Sequence, residues 1–470
     1  MYKLSYYNFY FPISEKETFV IYNSFHNSLF EIDPKLGYDF INMELYKNRD
    51  IDLLMIPPEE LDSMINEGFI VSSDTNEKED IINLKDKFRE IYRKKDDSLS
   101  LTILLTSFCN LACKYCFEGI NKPKKCLTND VFSEIYNYIE DEIHKGVLKN
   151  VEIIWYGGEP LIEIIKLEEY SHQIIDLCNK SNVNYSSRVV TNGVNLTPKV
   201  IKILENIKID AIQVTIDGDK ETHNSRRPFL KSETGSFEMI LNNLKHLTNK
   251  KIRMTIRINS DKIVFPSISK LLSDLIERDI WPKNKYISIY MGKTDESLYY
   301  KDSNLYSAYE FSEAEIDFEK LVFEVHNNWA KVNKKNKQKF VVKFPMITHN
   351  LCRTYNTNSS LVIDPYGNIS KCWEHVNNPE VIIGNVRDRI EKVLKSKRNL
   401  DIINCFSIPE ECLACKIYPI CDECFCPSNN SFAQKSSRRC RWKYQLGPLI
   451  RYQFTLQIDH PELIDFFEND

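Results

Sequence analysis

The sequence predicts an α/β protein: a parallel sheet curved into a partial (β/α)6 barrel, preceded by a small winged-helix-like unit and followed by a Cys-rich C-terminal domain. Three observations predict it. From about residue 99, short apolar runs alternate with amphipathic segments through six units, the pattern of a β-then-α repeat that builds a parallel sheet. Before that point the apolar runs are short and alternating, with two helical patterns after them. Beyond residue 350, cysteines replace periodic apolar residues: of 14 Cys none precedes Cys109, and nine lie between Cys352 and Cys440.

Taken in order, Tyr7–Pro12, Thr18–Tyr22 and Ser28–Ile32 read as strands, and Pro34–Tyr46 and Pro58–Glu67 as helices. Gly68 ends the second helix and Phe69-Ile70-Val71 returns as a strand. The charged stretch from Asn76 through Lys95 reads as an exposed linking helix, a solvated spacer. Leu99–Thr106, Val151–Tyr156, Ser187–Thr191, Ile209–Asp217, Ile252–Asn259 and Tyr286–Met291 are the six barrel strands. The helices between them are Thr128–Lys145, a segment ending near Lys180, Pro198–Asn206, Phe237–Thr248 and Ser267–Ile276. Such a sheet carries its active residues on the loops at the C-terminal strand ends. Ser312–Val332 reads as a bridging helix with a capping box, Ser312 with Glu315. Ser360–Ile363, the turn Asp364-Pro365-Tyr366-Gly367 and Asn368–Trp373 read as a hairpin. The resulting divisions are 1–95, 96–310, a bridge 311–345, 346–445 and a tail 446–470.

Hydrophobic residues make up 42% of the chain, enough for real cores, so it is globular. Lys and Arg number 62 against 67 acidic residues, a net −5 that argues against a nucleic-acid partner held by a basic field. No run approaches the roughly 20 apolar residues of a membrane helix. The start, Met1-Tyr2-Lys3-Leu4-Ser5-Tyr6, lacks a secretory h-region. A cytoplasmic protein with no membrane partner is expected. Clustered Cys in such a chain point to metal rather than disulfides.

Cys109, Cys113 and Cys116 stand at the first barrel strand end with the spacing C-x3-C-x2-C. Three thiolates on one small loop hold three irons of a [4Fe–4S] cluster, for which four Cys are the usual complement. An open coordination position separates a reactive metal site from a structural one. Zinc ligation and unrelated buried thiols are the other uses of such a triplet. At the second strand end, Tyr156-Gly157-Gly158-Glu159-Pro160 sets a carboxylate behind two glycines that let backbone approach a ligand closely. The Cys spacing, with the aromatic Tyr115 before its last member and Gly157–Pro160 at the next strand end, resembles the radical S-adenosylmethionine (SAM) enzymes. The resemblance implies that Cys109, Cys113 and Cys116 form the catalytic, SAM-binding cluster site. It implies that Gly157, Gly158, Glu159 and Pro160 contact the methionyl ammonium and that Tyr115 borders the adenine. Thr191 with Asn192, Thr215 with Asp217, and Arg257 with Asn259, at the following strand ends, would line the adenosyl and carboxylate side, Arg257 as the carboxylate's partner. Asn192-Gly193 and Asp217-Gly218 are also ordinary turn dipeptides.

Cys352 and Cys372 form C-x14-G-x4-C with Gly367, followed by Cys405, Cys412-x2-Cys415-x5-Cys421, Cys424, Cys426 and Cys440. This resembles the SPASM domain of peptide-modifying radical enzymes, which carries two auxiliary [4Fe–4S] clusters. That family's next step is x3-Cys, whereas position 425 here is Phe, between Cys424 and Cys426; Cys426, followed by Pro427, is preferred. The resemblance implies one auxiliary cluster on Cys412, Cys415, Cys421 and Cys440, and another on Cys352, Cys372 and Cys426 with Cys405 or Cys424. A pair of zinc sites is the alternative. Cys126 and Cys178 read as ordinary thiols, and His349 and His375 lie near cluster cysteines.

The chain as a whole thus resembles a radical SAM, SPASM-type maturase of ribosomally made peptides, of the thioether-forming sactipeptide or ranthipeptide type. That implies SAM, three [4Fe–4S] clusters, an external electron donor such as flavodoxin or ferredoxin, and a precursor peptide. The leader of that peptide would add a strand to a sheet edge in 1–95. A deoxyadenosyl radical would take hydrogen from a peptide carbon, a peptide thiolate would join that carbon, and an auxiliary cluster would accept the leftover electron. Carbon–carbon and carbon–oxygen crosslinks use the same machinery. The anaerobic sulfatase-maturating, formylglycine-generating class shares the barrel and clusters but starts close to its Cys triplet. The 108 residues before Cys109 favour the peptide maturase.

Overall fold

Short apolar alternation at the start of the chain builds two small antiparallel sheets. β1 (Tyr2–Leu4) is a strand that the apolar pattern leaves unmarked. β2 (Asn8–Ile13), β3 (Thr18–Asn23) and β4 (Ser28–Ile32) form a meander. α1 (Pro34–Leu45) opens on a Pro and is capped by Asp33, whose carboxylate accepts from Lys35 N; α2 (Pro58–Asn66) also opens on a Pro. Gly68, at φ +77°, turns the chain into β5 (Ile70–Ser72), which pairs with β1. One face of the meander, with Phe19, Ile21 and Ile32, packs on Leu36, Phe40 and Met64. The other face, with Ile13, Val20 and Tyr22, is covered by Trp442, Leu446 and Ile450 of the helix Arg441–Asp459. This helix runs across the expected start of a tail at residue 446. The computed structural model describes residues 1–470 except 48, 95–96, 121–123, 233, 249, 298, 339–345, 375, 377, 405–406, 422–439 and 464–470.

α3 (Glu77–Lys94) corrects the expectation of a solvated spacer. Ile81 and Lys85 are fully buried and Arg89 is 5% exposed. The Lys85 ammonium donates to Asn350 Oδ1 at 2.7 Å and lies 4.3 Å over the Tyr418 ring. Arg89 donates to His349 O at 2.8 Å and to the Tyr418 hydroxyl at 2.9 Å. The pattern misled because long cationic side chains also serve as buried donors when acceptors from a distant segment meet them.

The barrel follows as β6 (Ser98–Thr106), α4 (Asn129–His144), β7 (Asn150–Gly157), α5 (Ile164–Lys180), β8 (Asn184–Thr191), α6 (Pro198–Asn206), β9 (Ala211–Thr215), α7 (Lys220–Arg226), α8 (Phe237–Leu244), β10 (Arg253–Ser260), α9 (Ile268–Glu277) and β11 (Ile287–Lys293). Each strand pairs in parallel with the next, from β6 to β11. Alternation along the strands sends Ile153, Trp155, Val189, Val214 and Ile256 into the main core, all fully buried. Their neighbours, such as Tyr156, Gln213 and Arg257, take the opposite face. α10 (Ala308–Val332) begins earlier than expected. Ser307 and Glu310 form the capping box, whereas Ser312 is inside the helix and bonds Ala308 O at 2.9 Å. The earlier start lets Phe311, Ala314 and Phe318 pack on the barrel core.

The hairpin β12 (Ser360–Ile363) and β13 (Asn368–Ser370) does not stand apart. β12 pairs in parallel with β6, and β14 (Ile382–Asn385) follows β13, so one sheet runs β11-β10-β9-β8-β7-β6-β12-β13-β14. Among the described residues no helix is long and apolar enough to cross a membrane. Replacing Arg89 by Ala strands His349 O and the Tyr418 hydroxyl, at an expected cost of about 2–3 kcal/mol, read as a lower urea midpoint. Lys78→Ala, on the exposed face of the same helix, should stay within about 0.5 kcal/mol of wild type.

Candidate active site

The Cys109–Cys116 loop leaves the C-terminal end of β6 and is held first by its backbone. Ala112 N donates to Pro228 O at 2.9 Å, Lys114 N to Arg226 O at 3.0 Å, and Leu230 N to Asn110 O at 2.9 Å, so the segment after α7 laces one side. From β7, Gly158 N donates to Thr106 O at 2.8 Å and Glu159 N to Phe108 O at 2.9 Å. A Cβ on Gly157, at φ +129°, would lie 2.4 Å from Thr106 O, and one on Gly158 2.3 Å from Phe108 O. The close approach that these glycines permit is therefore to the backbone of the Cys loop.

Glu159 is fully buried and its carboxylate is used inside the protein. Oε1 accepts from Thr191 Oγ1 at 2.7 Å and Leu161 N at 3.0 Å, and Oε2 accepts from Asn192 N at 2.7 Å. Burial pushes this carboxyl up, opposed by those three hydrogen bonds. Glu159 thereby clips the end of β8 to the end of β7. Asn192 is left with Nδ2 2.7 Å from Asn110 Oδ1 and 3.7 Å from Cys109 Sγ, which also receives Leu111 N–H at 3.5 Å. Pro160 is buried and opens a short 3-10 turn, Pro160–Glu163.

A second network gathers on Tyr115. Its hydroxyl donates to Asp217 and accepts from Arg227 at 2.5 Å and from Asn259 Nδ2 at 3.1 Å. Asp217 Oδ1 accepts from Asn259 N at 3.0 Å. Asp217 N donates to His223 Nδ1 at 3.1 Å, and His223 Nε2 lies 3.0 Å from Ser236 Oγ. Arg226 sits 4.8 Å over the Tyr115 ring and donates to Asp261 at 2.5 Å. Arg257 donates to Asn259 Oδ1 at 2.7 Å, with Thr215 opposite it on β9. Tyr115, Asp217, Arg257 and Asn259, singled out separately in the sequence, thus form one continuous polar surface. His223, Arg226 and Arg227 follow Asp217 in the strand-end segment that the resemblance puts on the adenosyl and carboxylate side, whereas Asn110 escaped the sequence reading as a site group.

Charge follows the same geometry. Burial opposes the Arg227 guanidinium, but Cys113, Tyr115 and Asp217 outweigh it and hold its pKa well above the ordinary value. Burial, with Arg227 and Arg226, drives His223 well below the usual imidazole range. The Nε atoms of Arg226 and Arg227 are buried with no hydrogen-bond acceptor among the described residues. Cys109, Cys113 and Cys116 are half-buried. No three His, Cys, Asp or Glu side chains among the described residues converge as ligands of one metal ion. A [4Fe–4S] cluster asks for something else, one sulfur to each iron. Three thiols on one laced loop, with two N–H donors on Cys109 and a cation facing Cys113, fit that group.

The C-terminal cysteines lie in two places. Cys352 and Cys372 pack with Tyr355, Val381 and Ile402. Cys412 and Cys415 pack with Tyr7, Ile81 and Tyr418. Cys421 O accepts from Thr348 Oγ1 at 2.9 Å and Asn350 Nδ2 at 2.8 Å. Cys440 precedes the last long helix. Cys405, Cys424, Cys426 and His375 fall outside the described residues. Trp373 bridges the hairpin to the barrel mouth, its ring 6.2 Å from Phe117 and 5.8 Å from Tyr156. His349 stacks on Tyr92 at 3.7 Å. The Cys126 thiol donates to Glu163 at 3.1 Å, and Cys178 is buried within α5.

A partial barrel with a three-cysteine loop at its first strand end defines a class, and comparison with known proteins agrees. Residues 103–259 match the family model of the radical SAM superfamily. That match gives residues 103–259 as a radical SAM domain, a family whose members use SAM and a [4Fe–4S] cluster. It is 26% identical over 272 residues to the radical SAM cyclopropyl synthase TigE of Paramaledivibacter caminithermalis, covering 50% of this chain and 53% of that one. It is 23% identical over 232 residues to the sporulation killing factor maturation protein SkfB of Bacillus subtilis, covering 48% of each. The chain thus spans about half the length of these relatives. The fold is also that of the solved enzyme anSMEcpe with bound AdoMet and a Cp18Cys peptide, at TM-score 0.57 and 18% identity, over 76% of this chain and 99% of that one.

His223 binds its proton less tightly folded than unfolded. Its contribution to stability is therefore full above about pH 6.5 and is lost progressively as the pH falls below that value. Melting temperatures measured between pH 7.5 and 5.5 should fall more steeply for wild type than for His223→Gln.

Proposed function

We propose that this chain is a radical SAM maturase of a ribosomally made precursor peptide that installs a crosslink, a Cys thioether. The observation that carries the reading is the parallel pairing of β12 with β6. It sets the Cys352–Cys372 hairpin beside the strand whose end bears Cys109, Cys113 and Cys116. A reaction that removes two electrons from its substrate needs an acceptor within reach of the radical site, and a second thiol-lined group here would meet that need. Relatives named as a maturation protein and, in Mycolicibacterium smegmatis, as the mycofactocin maturase MftC support a peptide-type substrate.

In this reading Cys109, Cys113 and Cys116 hold the catalytic cluster, which with SAM supplies a 5′-deoxyadenosyl radical. Asn192 and Leu111 N orient Cys109, and Arg227 balances the charge at Cys113. Tyr115, Asp217, Asn259 and Arg257 line the adenosyl and carboxylate side, joined by Thr215. Gly157, Gly158 and Pro160 shape the ammonium side, where Glu159 acts by holding Thr191 and Asn192 in place. Cys352, Cys372 and Cys426, with Cys405 or Cys424, hold one auxiliary cluster; Cys412, Cys415, Cys421 and Cys440 hold the other. An external flavodoxin or ferredoxin supplies electrons. Residues 1–95 recognise the leader, 96–310 form the radical barrel and 346–445 the SPASM domain. The cyclopropyl synthase relative makes carbon–carbon bond formation the second reading.

Reconstituted anaerobically with iron, sulfide, reductant and SAM, the wild type should turn brown and release 5′-deoxyadenosine, and Cys116→Ala should release none. Wild-type yields from that variant would sink the reading. With a Cys-containing precursor peptide as substrate, the product should lose two hydrogens and one free thiol. Leader recognition is tested on β4, which has no strand on its outer side among the described residues. Adjacent residues of an edge strand point their N–H groups alternately inward and outward. Of Phe30→Pro and Glu31→Pro, one should therefore keep the fold yet lose leader affinity at least tenfold by fluorescence anisotropy; unchanged affinity in both refutes strand addition there.

A further inference from the structure

β4 has one edge without a strand among the described residues, and α2 runs beside that strand. Its two ends fix the arrangement. Ser28 Oγ, at the start of β4, donates to Glu67 O, just past α2, at 2.7 Å. At the other end Asp33, just past β4, lies near enough to Glu60, in the first turn of α2, to act on its charge. Phe30 from the strand and Leu61 and Ile65 from the helix are only half-buried in the core they share. An unpaired edge beside half-covered apolar side chains suits an extended segment, whose backbone continues the ladder and whose side chains cover the apolar strip.

The rim of that strip is acidic. Between Glu31 and Glu67 the chain carries ten acidic residues against three basic ones, in a protein whose whole net charge is −5. Asp33, Glu59, Asp62 and Glu67 are exposed. Nearby cations are engaged elsewhere: Lys16 pairs with Glu31 at 3.5 Å, Arg49 with Glu77 at 3.6 Å, and Lys416 with Glu44. No ion pair among the described residues includes Glu59, Glu60 or Asp62. Glu60 Oε2 is buried with no hydrogen-bond partner among those residues, and burial with Glu59 and Asp33 pushes its carboxyl up. Like charges crowded at the end of a strip are relieved by a cation that arrives with the ligand.

We propose that the strip between β4 and α2 binds an extended segment of the precursor leader in which apolar residues are interspersed with Lys or Arg. The proposal rests on the leader-recognition reading above and adds the chemistry of the segment. Its apolar side chains cover Phe30, Leu61 and Ile65, and its cations meet Glu59, Glu60 and Asp62. The same rim refuses an acidic leader.

The test uses the full chain and three fluorescein-labelled twelve-residue peptides: Val-Lys-Ser, Val-Ser-Ser and Val-Glu-Ser, each repeated four times. Affinities are read by anisotropy at about 0.15 M salt, where distant charges are screened. Wild type should bind the Lys peptide at least about tenfold tighter than the Ser peptide, and the Glu peptide weakest. Glu59→Lys with Asp62→Lys should reverse the order of the Lys and Glu peptides. Asp141→Lys with Asp176→Lys, exposed on α4 and α5, should keep it. If the first pair fails to fold, Glu59→Gln with Asp62→Asn decides, by losing the preference for the Lys peptide. No binding of the Lys peptide, equal affinity for the Lys and Ser peptides, or an order unmoved by the changes on α2 overturns the proposal. So does a wild-type dimer that those changes separate, because the face then belongs to a second copy. The β4 proline variants show what has failed. If the folded one loses the Lys peptide while the α2 variants keep it, strand addition stands and only the basic class falls. If none of them loses it, the leader site at this edge has failed as well.

Discussion

The contact on which the rest of this protein depends is between backbones: the end of β7 laid against the loop that leaves β6. Gly158 N on Thr106 O and Glu159 N on Phe108 O bring two chains closer than any side chain at position 157 or 158 allows. Once that seam is closed, the loop cannot splay. The segment from Arg226 to Leu230 then closes its other side. Three cysteines are thus presented by a loop held mainly through its backbone. A cluster site benefits from that arrangement, because ligands already in place lose little conformational freedom on binding.

Buried charge is the second organising element, and each instance joins segments far apart in sequence. Glu159 uses three donors to tie β7 to β8. Asp217 and Arg227 meet at the Tyr115 hydroxyl, so the Cys loop, β9 and the segment after α7 share one network. Lys85 and Arg89 do the same between the N-terminal unit and the Cys412–Cys421 region. In a medium of low polarity an unpaired charge is expensive, and each of these buried charges meets more than one partner.

These junctions also change what the divisions of the chain mean. The N-terminal meander is roofed by the helix Arg441–Asp459, and its neighbour α3 grips Tyr418 and Asn350. The first and last parts of the chain are therefore one packed body. The C-terminal hairpin is an extra strand pair on the barrel sheet. An event at the N-terminal sheet is thereby linked through packed side chains to the loop bearing Cys412, Cys415 and Cys421.

Much of this was legible in the sequence where periodicity is local. The six barrel strands and their helices, α1 and α2, and the hairpin follow from alternation and turn residues, because a strand or helix declares its buried face within a few residues. The Cys triplet and the Gly157–Pro160 segment were visible for the same reason: each is a compact motif whose place at a strand end follows from the β/α order. What the local pattern misassigned was decided by distant partners. α3 looked solvated because its charges are regular, and it is buried because acceptors 265 and 329 residues away meet them. Ser312 looked like a cap, but the packing of Phe311 on the barrel starts the helix at Ala308. Sequence by itself determined which residue types reach the strand ends, since that depends on spacing along one chain. Only the tertiary structure decided which of them touch, because a hydrogen bond such as Arg227 to Tyr115 is set by how two loops pack and leaves no periodic trace.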